Sequence, residues 1–211
     1  LLEAMNGELP LAGGAVSLGL VGRGGEGGAA DPGQARRLFT LAADGGEAEG
    51  MRQLGYHHRH GIGVARDLQM AIAWYRKAAD ADVSAAMVDL GNMAVAGEGM
   101  PQDEGAGREW FRKAAEAGNA NGMWRLARML SSSEFTGQPS DNPAAVKWYH
   151  KLAEDEDAVN AAAAADAFAR GQIVPPDLKT ARRYYEKALA AGVIDTAAPL
   201  VEVVVRDDPG A

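Results

Sequence analysis

Asp31, Asp67, Asp103, Asp141 and Asp177 recur 36, 36, 38 and 36 residues apart, and this rhythm limits the possible folds more than any other feature of the chain. Aromatic residues keep the same beat at Phe39, Tyr75, Phe111, Tyr149 and Tyr185. Small residues follow at Ala42-Ala43, Ala78-Ala79 and Ala114-Ala115, and more loosely at Leu152-Ala153 and Ala188-Leu189. A period of this size signals stacked supersecondary units, each burying its apolar face against the next, rather than one globular core. The 211 residues hold about five and a half such units in a single array. Their expected bounds are 12–46, 47–82, 83–118, 119–156 and 157–192, followed by a terminal helix over 193–206.

Residues 47–82 serve as the reference unit. Met51, Leu54, Gly55 and His58 stand at i, i+3, i+4 and i+7, one face of a helix, here called helix A. Gly61-Ile62-Gly63-Val64 makes the turn, and Asp67 sits where its carboxylate can cap the next helix. Helix B carries Ala71, Tyr75, Ala78 and Ala79 on one stripe, with small residues where helices approach closely. Each unit is therefore an antiparallel helical hairpin, and the array an all-α solenoid, or superhelix, of stacked hairpins. Helix B should stop at Gly46, Gly118 and Gly192, and less cleanly where Asp82 and Glu156 take the glycine's place. The fourth unit is two residues longer, and its turn over 131–140 predicts an irregular loop.

Composition narrows the functional classes. A formal net charge of −8 disfavours nucleic acid and anionic membrane as general partners. The absence of cysteine removes disulfides, thiolate metal sites and a cysteine nucleophile. No apolar run approaches the length of a membrane span. Because the chain starts at Leu1, a signal peptide or larger segment is expected to have preceded it. Leu1-Leu2-Glu3-Ala4-Met5 reads as the tail of an earlier helix B.

The order Ala/Met-x-x-Leu-Gly, Gly-x-Gly-Val, Asp-x-x-x-Ala, aromatic-aromatic, Lys-Ala-Ala resembles the Sel-one-like repeat, a relative of the tetratricopeptide repeat. Residues 51–79 and 87–115 carry it most fully, and the resemblance extends over roughly 12–206. His58, Ala94 and Leu130 replace the tyrosine usual in helix A. The resemblance implies a non-enzymatic adaptor that binds another protein, without a cofactor, in a bacterial envelope or signalling system. It leans towards periplasm over cytoplasm. One variant is an immunity protein that neutralises a secreted toxin. An envelope-associated enzyme and a spacer within a longer protein are the other readings.

In the related tetratricopeptide arrays helix A lines the concave face. At about 100° per residue, Glu49, Arg52, Tyr56 and Arg59 fall roughly 80–160° from the Met51 direction, on the flank facing that groove. Shifted by the repeat, the same flank holds Val16, Leu20 and Arg23, then Val88, Asn92 and Val95, then Trp124, Arg128 and Ser131, then Ala162, Asp166 and Ala169. His60 and Arg170 lie one residue further round. Arginine with tyrosine or tryptophan is the usual composition of an interaction hot spot. The flank therefore predicts a basic, aromatic-containing groove for an acidic or carboxylate-bearing protein segment. Against this stands the reading that the arginines only pair with their neighbours.

His57 and His60, at i and i+3, are a candidate metal pair with no third ligand in view, while His58 is expected on the packed stripe. Gly22-Arg23-Gly24-Gly25-Glu26-Gly27-Gly28 reads as the first hairpin turn rather than a phosphate loop, which needs a preceding strand. The acids Glu154-Asp155-Glu156-Asp157 read as a solvated corner between units.

Overall fold

The computed structural model describes residues 32–131, 143–171 and 176–207. These form ten α-helices and one short 3-10 turn, with no strand among the described residues. Contacts divide the chain into two compact units, Leu1–Trp110 and Phe111–Ala211. The first contains α1 (Pro32–Asp44), α2 (Ala48–His60), α3 (Leu68–Asp80), α4 (Ser84–Ala96) and the start of α5 (Glu104–Glu116). The second contains the rest of α5, then α6 (Ala120–Ser131), α7 (Pro143–Ala153), α8 (Ala158–Arg170), α9 (Leu178–Ala190) and α10 (Ala197–Asp207). Even-numbered helices up to α10 are A helices, and odd-numbered ones are B helices.

The beat residues are the core. Phe39, Tyr75, Phe111, Tyr149 and Tyr185 are each at most 3% exposed, and the alanine pairs from Ala42-Ala43 to Ala114-Ala115 are buried with them. The looser Ala188-Leu189 splits, with Ala188 buried and Leu189 exposed. Small residues set how near the helices come. A Cβ on Gly55 would lie 2.7 Å from the Tyr75 ring, and one on Gly122 would lie 2.7 Å from the Cβ of Ala114. Either is closer than packed carbons allow.

Caps and turns behave as the spacing requires. Asp67 accepts from the N–H groups of Gln69 and Met70, Asp103 from Ala106, and Asp177 from Thr180. Asp31 and Asp141 lie outside the described residues, as do the glycine-rich 22–28 stretch, Leu1–Met5 and turn residues 132–140. Gly63 satisfies two demands at once. Its φ is +65°, and an added Cβ would meet the Pro32 carbonyl oxygen of α1 at 2.6 Å.

Two local expectations change. Asp82 does not weaken the end of α3. It takes φ +61°, and the Asp82 and Val83 N–H groups donate to the Ala79 and Ala78 carbonyls, as the Gly46 and Glu47 N–H groups do to Ala43 and Ala42. Aspartate tolerates this left-handed geometry better than most side chains. The terminal segment is not one helix over 193–206. A 3-10 turn at Ile194–Thr196 precedes α10, which then accommodates Pro199 in its first turn, where a missing N–H costs nothing.

The corner over 154–157 is more ordered than a solvated charge run. Asp155 accepts from the Asp157 N–H and the Asn160 amide, Asp157 caps α8 through the Val159 N–H, and Lys187 donates to the Ala153 carbonyl.

Candidate functional site

In the first unit the predicted flank of α2 is an ion-pair network. Arg52 Nε donates to Asp89 Oδ2 on α4 at 2.9 Å, and its other arm reaches Glu49 Oε1 at 3.0 Å. Glu49 also accepts from the Gln53 amide at 2.6 Å. Two turns further on, Arg59 Nε donates to Glu98 at 2.8 Å, and Arg66 approaches the same carboxylate at 3.9 Å. The Arg52 and Arg59 side chains are only 25% and 17% exposed, so these pairs are half-buried staples between successive hairpins. Burial opposes the charge on Arg52, yet the Asp89 and Glu49 carboxylates hold its proton on more firmly than usual. Asp89 is pulled both ways. Burial pushes its carboxyl up and prevails over the attraction of Arg52. Tyr75 lies beneath, its hydroxyl pKa driven up by burial and by Asp89.

The expected basic groove is therefore not what Arg52 and Arg59 make, because partners one repeat away neutralise both. Val88 also departs from expectation, being buried at 6% exposed, while Asn92 is partly exposed. The physical reason is the composition of α4. Ala86, Met87, Val88, Leu90, Met93 and Ala94 are all buried, so this helix packs over more of its circumference than the one stripe read from α2. The Tyr56 and His60 rings lie tilted against each other, with centroids 4.4 Å apart and planes inclined at 47°. Arg23 lies outside the described residues.

The histidines change places. His57 is fully buried, edge-on to Phe39 at 5.2 Å, with Nδ1 hydrogen-bonded to the Ile62 carbonyl oxygen at 2.8 Å. His58 is partly exposed, and burial followed by the nearby Arg36 charge lowers its pKa against the pull of Asp67. An A helix packs on the B helix before it as well as its own, which rotates the buried arc to Gly50, Leu54 and His57. His57 and His60 thus do not form an exposed chelating pair, and among the described residues no group of three potential ligands occurs.

The second unit presents its predicted residues differently. Trp124 on α6 lies under the Arg128 guanidinium, 4.6 Å from the ring centroid. Arg125 approaches Trp124 at 6.0 Å and Phe111 at 5.6 Å. Arg128 is exposed, and no described carboxylate lies within ion-pair distance of it.

Asp166 and Arg170, on α8, line a cleft of about 250 Å³ together with Tyr185 on α9 and Glu202, Val203 and Arg206 on α10. Tyr185 donates its hydroxyl proton to Asp166, and burial first, then this carboxylate, pushes the phenol pKa up. Arg170 reaches Asp166 only at 3.8 Å, and Arg206 donates to the Ala169 carbonyl at 3.3 Å.

Sequence reasoning missed the cluster around Tyr184. Its hydroxyl meets His150 Nδ1 at 2.6 Å and accepts from Arg183 at 2.9 Å, and the His150 ring lies 5.0 Å from Phe168. The double tyrosine at 184–185 was the available signal.

Repeated antiparallel hairpins, capped by aspartate and packed through one aromatic and paired alanines, define an all-α solenoid scaffold. The Sel1 repeat model matches residues 14–47, 48–83, 84–119, 120–157 and 158–193, and the chain belongs to that family. Proteins of the family are typically non-enzymatic and mediate protein–protein interaction. A Sel1 repeat protein from Oxalobacter formigenes is similar at 26% identity and TM-score 0.75, over 94% of this chain and 80% of that one. A protective antigen of uropathogenic Escherichia coli with the same fold is 27% identical with TM-score 0.71, over 98% of this chain but 43% of that one. An immunity protein of Pseudomonas aeruginosa shares the fold at 19% identity and TM-score 0.60, over 90% of this chain and 69% of that one. No curated protein matches the sequence. No described helix is long and apolar enough to cross a membrane.

Proposed function

We propose that this chain is a non-enzymatic scaffold that docks a partner protein on α6 through Trp124 and Arg128. The observation that carries the reading is the contrast between Arg128 and the arginines of the first unit. Arg52 and Arg59 are committed to carboxylates, whereas Arg128 lies exposed on an indole face with no described carboxylate beside it. Stacking holds the guanidinium in place without consuming its donors, so both side chains are pre-organised for a partner. Tryptophan and arginine are enriched among residues that dominate binding energy. An acidic side chain on the partner is the natural complement, since the guanidinium fork matches a carboxylate.

The test is affinity capture with the purified chain as bait, followed by titration of the recovered protein. Trp124→Ala or Arg128→Glu is expected to weaken binding at least tenfold, on the order of 1.4 kcal/mol or more. A partner held equally well by both variants would overturn the assignment to α6.

A further inference from the structure

The repeat register makes the α8–α10 cleft unlike any furrow in the first unit. Asp166 and Glu202 stand 36 residues apart, at the same position of successive A helices, and so do Arg170 and Arg206. Each helix thus carries an acid and, one turn later, an arginine. In the first unit such side chains reach across to the next repeat, Arg52 to Asp89 on α4 and Arg59 to Glu98 in the turn after α4. In the second unit the positions matching Arg52 and Arg59 are Ala162 and Ala169, and the position matching Asp89 is Pro199. Among the described residues no ion pair spans this furrow, and it stays open as the cleft of about 250 Å³.

We propose that this cleft binds a mixed-charge peptide segment of a partner protein, with a cation against Asp166 and Glu202 and a carboxylate against Arg170 and Arg206. The inference rests on the scaffold reading above and names the chemistry of a second contact. Four features support it. The lining charges sum to zero, so a ligand of one sign leaves one pair of them uncompensated. Acid and arginine rows are separated by four residues of helix, about 6 Å of rise. Side chains two apart on an extended strand are about 6.6 Å apart and face the same side, so a Lys-x-Asp pattern meets both rows. Finally, Tyr185 fixes Asp166, whereas the described contacts of the two arginines, a long Arg170–Asp166 approach and one Arg206–carbonyl bond, use few of their five donors each. Free glycine carries both charges on one carbon and cannot reach the two rows together.

Binding is measured by fluorescence anisotropy with the full chain and a labelled Gly-Lys-Gly-Asp-Gly peptide. Gly-Lys-Gly-Lys-Gly and Gly-Asp-Gly-Asp-Gly serve as like-charge controls, and unlabelled glycine as a free amino-acid competitor. The mixed-charge peptide is expected to bind, to weaken on the order of tenfold with Arg206→Glu and with Glu202→Lys, and to be unaffected by Arg76→Glu on α3. Two variants of opposite sign at exposed positions guard against a folding artefact, and the thermal midpoint of each is recorded alongside. Equal binding of all three peptides, no binding at all, retention by both cleft variants or displacement by free glycine would each overturn the proposal. None of these results touches partner capture through Trp124 and Arg128, so failure here is distinct from failure of the scaffold reading.

Discussion

The first unit closes the furrow between its A helices and the second leaves one open, although both are built from the same hairpin. Arg52 and Arg59 cross from α2 to carboxylates contributed by the next repeat, at 2.9 and 2.8 Å. In the second unit α8 carries alanine at both equivalent positions, and its charged residues pair loosely along their own helix instead. The lesson is that a solenoid can spend identical residue types on cohesion in one place and leave them for recognition in another. Separation alone does not set the choice. Arg170 has Asp207 one repeat plus one residue away and still pairs along its own helix with Asp166, so the face of the helix that carries the arginine decides as well.

The largest expected effect comes from breaking a staple. Arg52→Ala leaves Asp89, a carboxylate already penalised by burial, without its main partner. Half-buried pairs lie between the small value of surface bridges and the several kcal/mol of buried ones, so a loss of about 2 kcal/mol is expected in urea unfolding. A loss below about 0.5 kcal/mol would mean that the network is decorative.

Next comes a pH contrast between the units. Asp177 caps α9, and the Thr180 N–H, then the Thr180 hydroxyl, hold its carboxyl below the usual range. A depressed native value means stability that is present above the unfolded value and lost as pH falls through the native one. Asp177→Ala should therefore cost about 1 kcal/mol near neutrality and progressively less in acid, as the wild type loses the same interaction. Asp89 has the opposite sign. Its raised value means the native state holds the proton more tightly, so its penalty is relieved as pH falls through that value. Denaturation of Asp177→Ala and Asp89→Asn between neutral pH and about pH 3 reads both slopes. Parallel slopes would erase the contrast.

A smaller effect is expected from transplanting the staple. Ala162→Arg with Pro199→Asp recreates the Arg52–Asp89 register between α8 and α10, and the new acid also sits in the first turn of α10, where it suits the helix dipole. The double variant should gain at most about 1 kcal/mol and should narrow the cleft enough to weaken the mixed-charge peptide. Stability unchanged with peptide binding intact would show that register alone does not close the furrow.

Much of this was legible in the sequence, because five repeats averaged out local ambiguity. The aspartate caps, the paired turn glycines and the buried aromatics follow from spacing alone. The misplaced face residues share one cause. A helical wheel drawn from a single hairpin assigns one buried stripe, whereas an A helix touches the B helix before it as well. That second contact buried His57, against Phe39, in place of His58, and the apolar circumference of α4 hid Val88. Pairing was illegible for a related reason. Arg52 and Asp89 are 37 residues apart, off the repeat by one, and only three-dimensional stacking brings them together. The signal for the open cleft was present, in the in-phase Asp166/Glu202 and Arg170/Arg206. It becomes informative only once the staples of the first unit show what is missing.

The smallest expected effect is also the sharpest check on the comparison. If the charges of the second unit are held for recognition rather than cohesion, Arg206→Ala should change unfolding free energy by less than about 0.5 kcal/mol. Its guanidinium is exposed, and its described bond is a 3.3 Å contact to the Ala169 carbonyl, which solvent can replace. Arg52→Ala, at the other extreme, removes two carboxylate contacts from a half-buried site. A ratio of fourfold or more between the two losses, read by the same urea titration, is what separates a staple from a free hand. Comparable losses would mean that Arg206 supports the fold by holding α10 to α8, and that the cleft is only the space left between two structural helices.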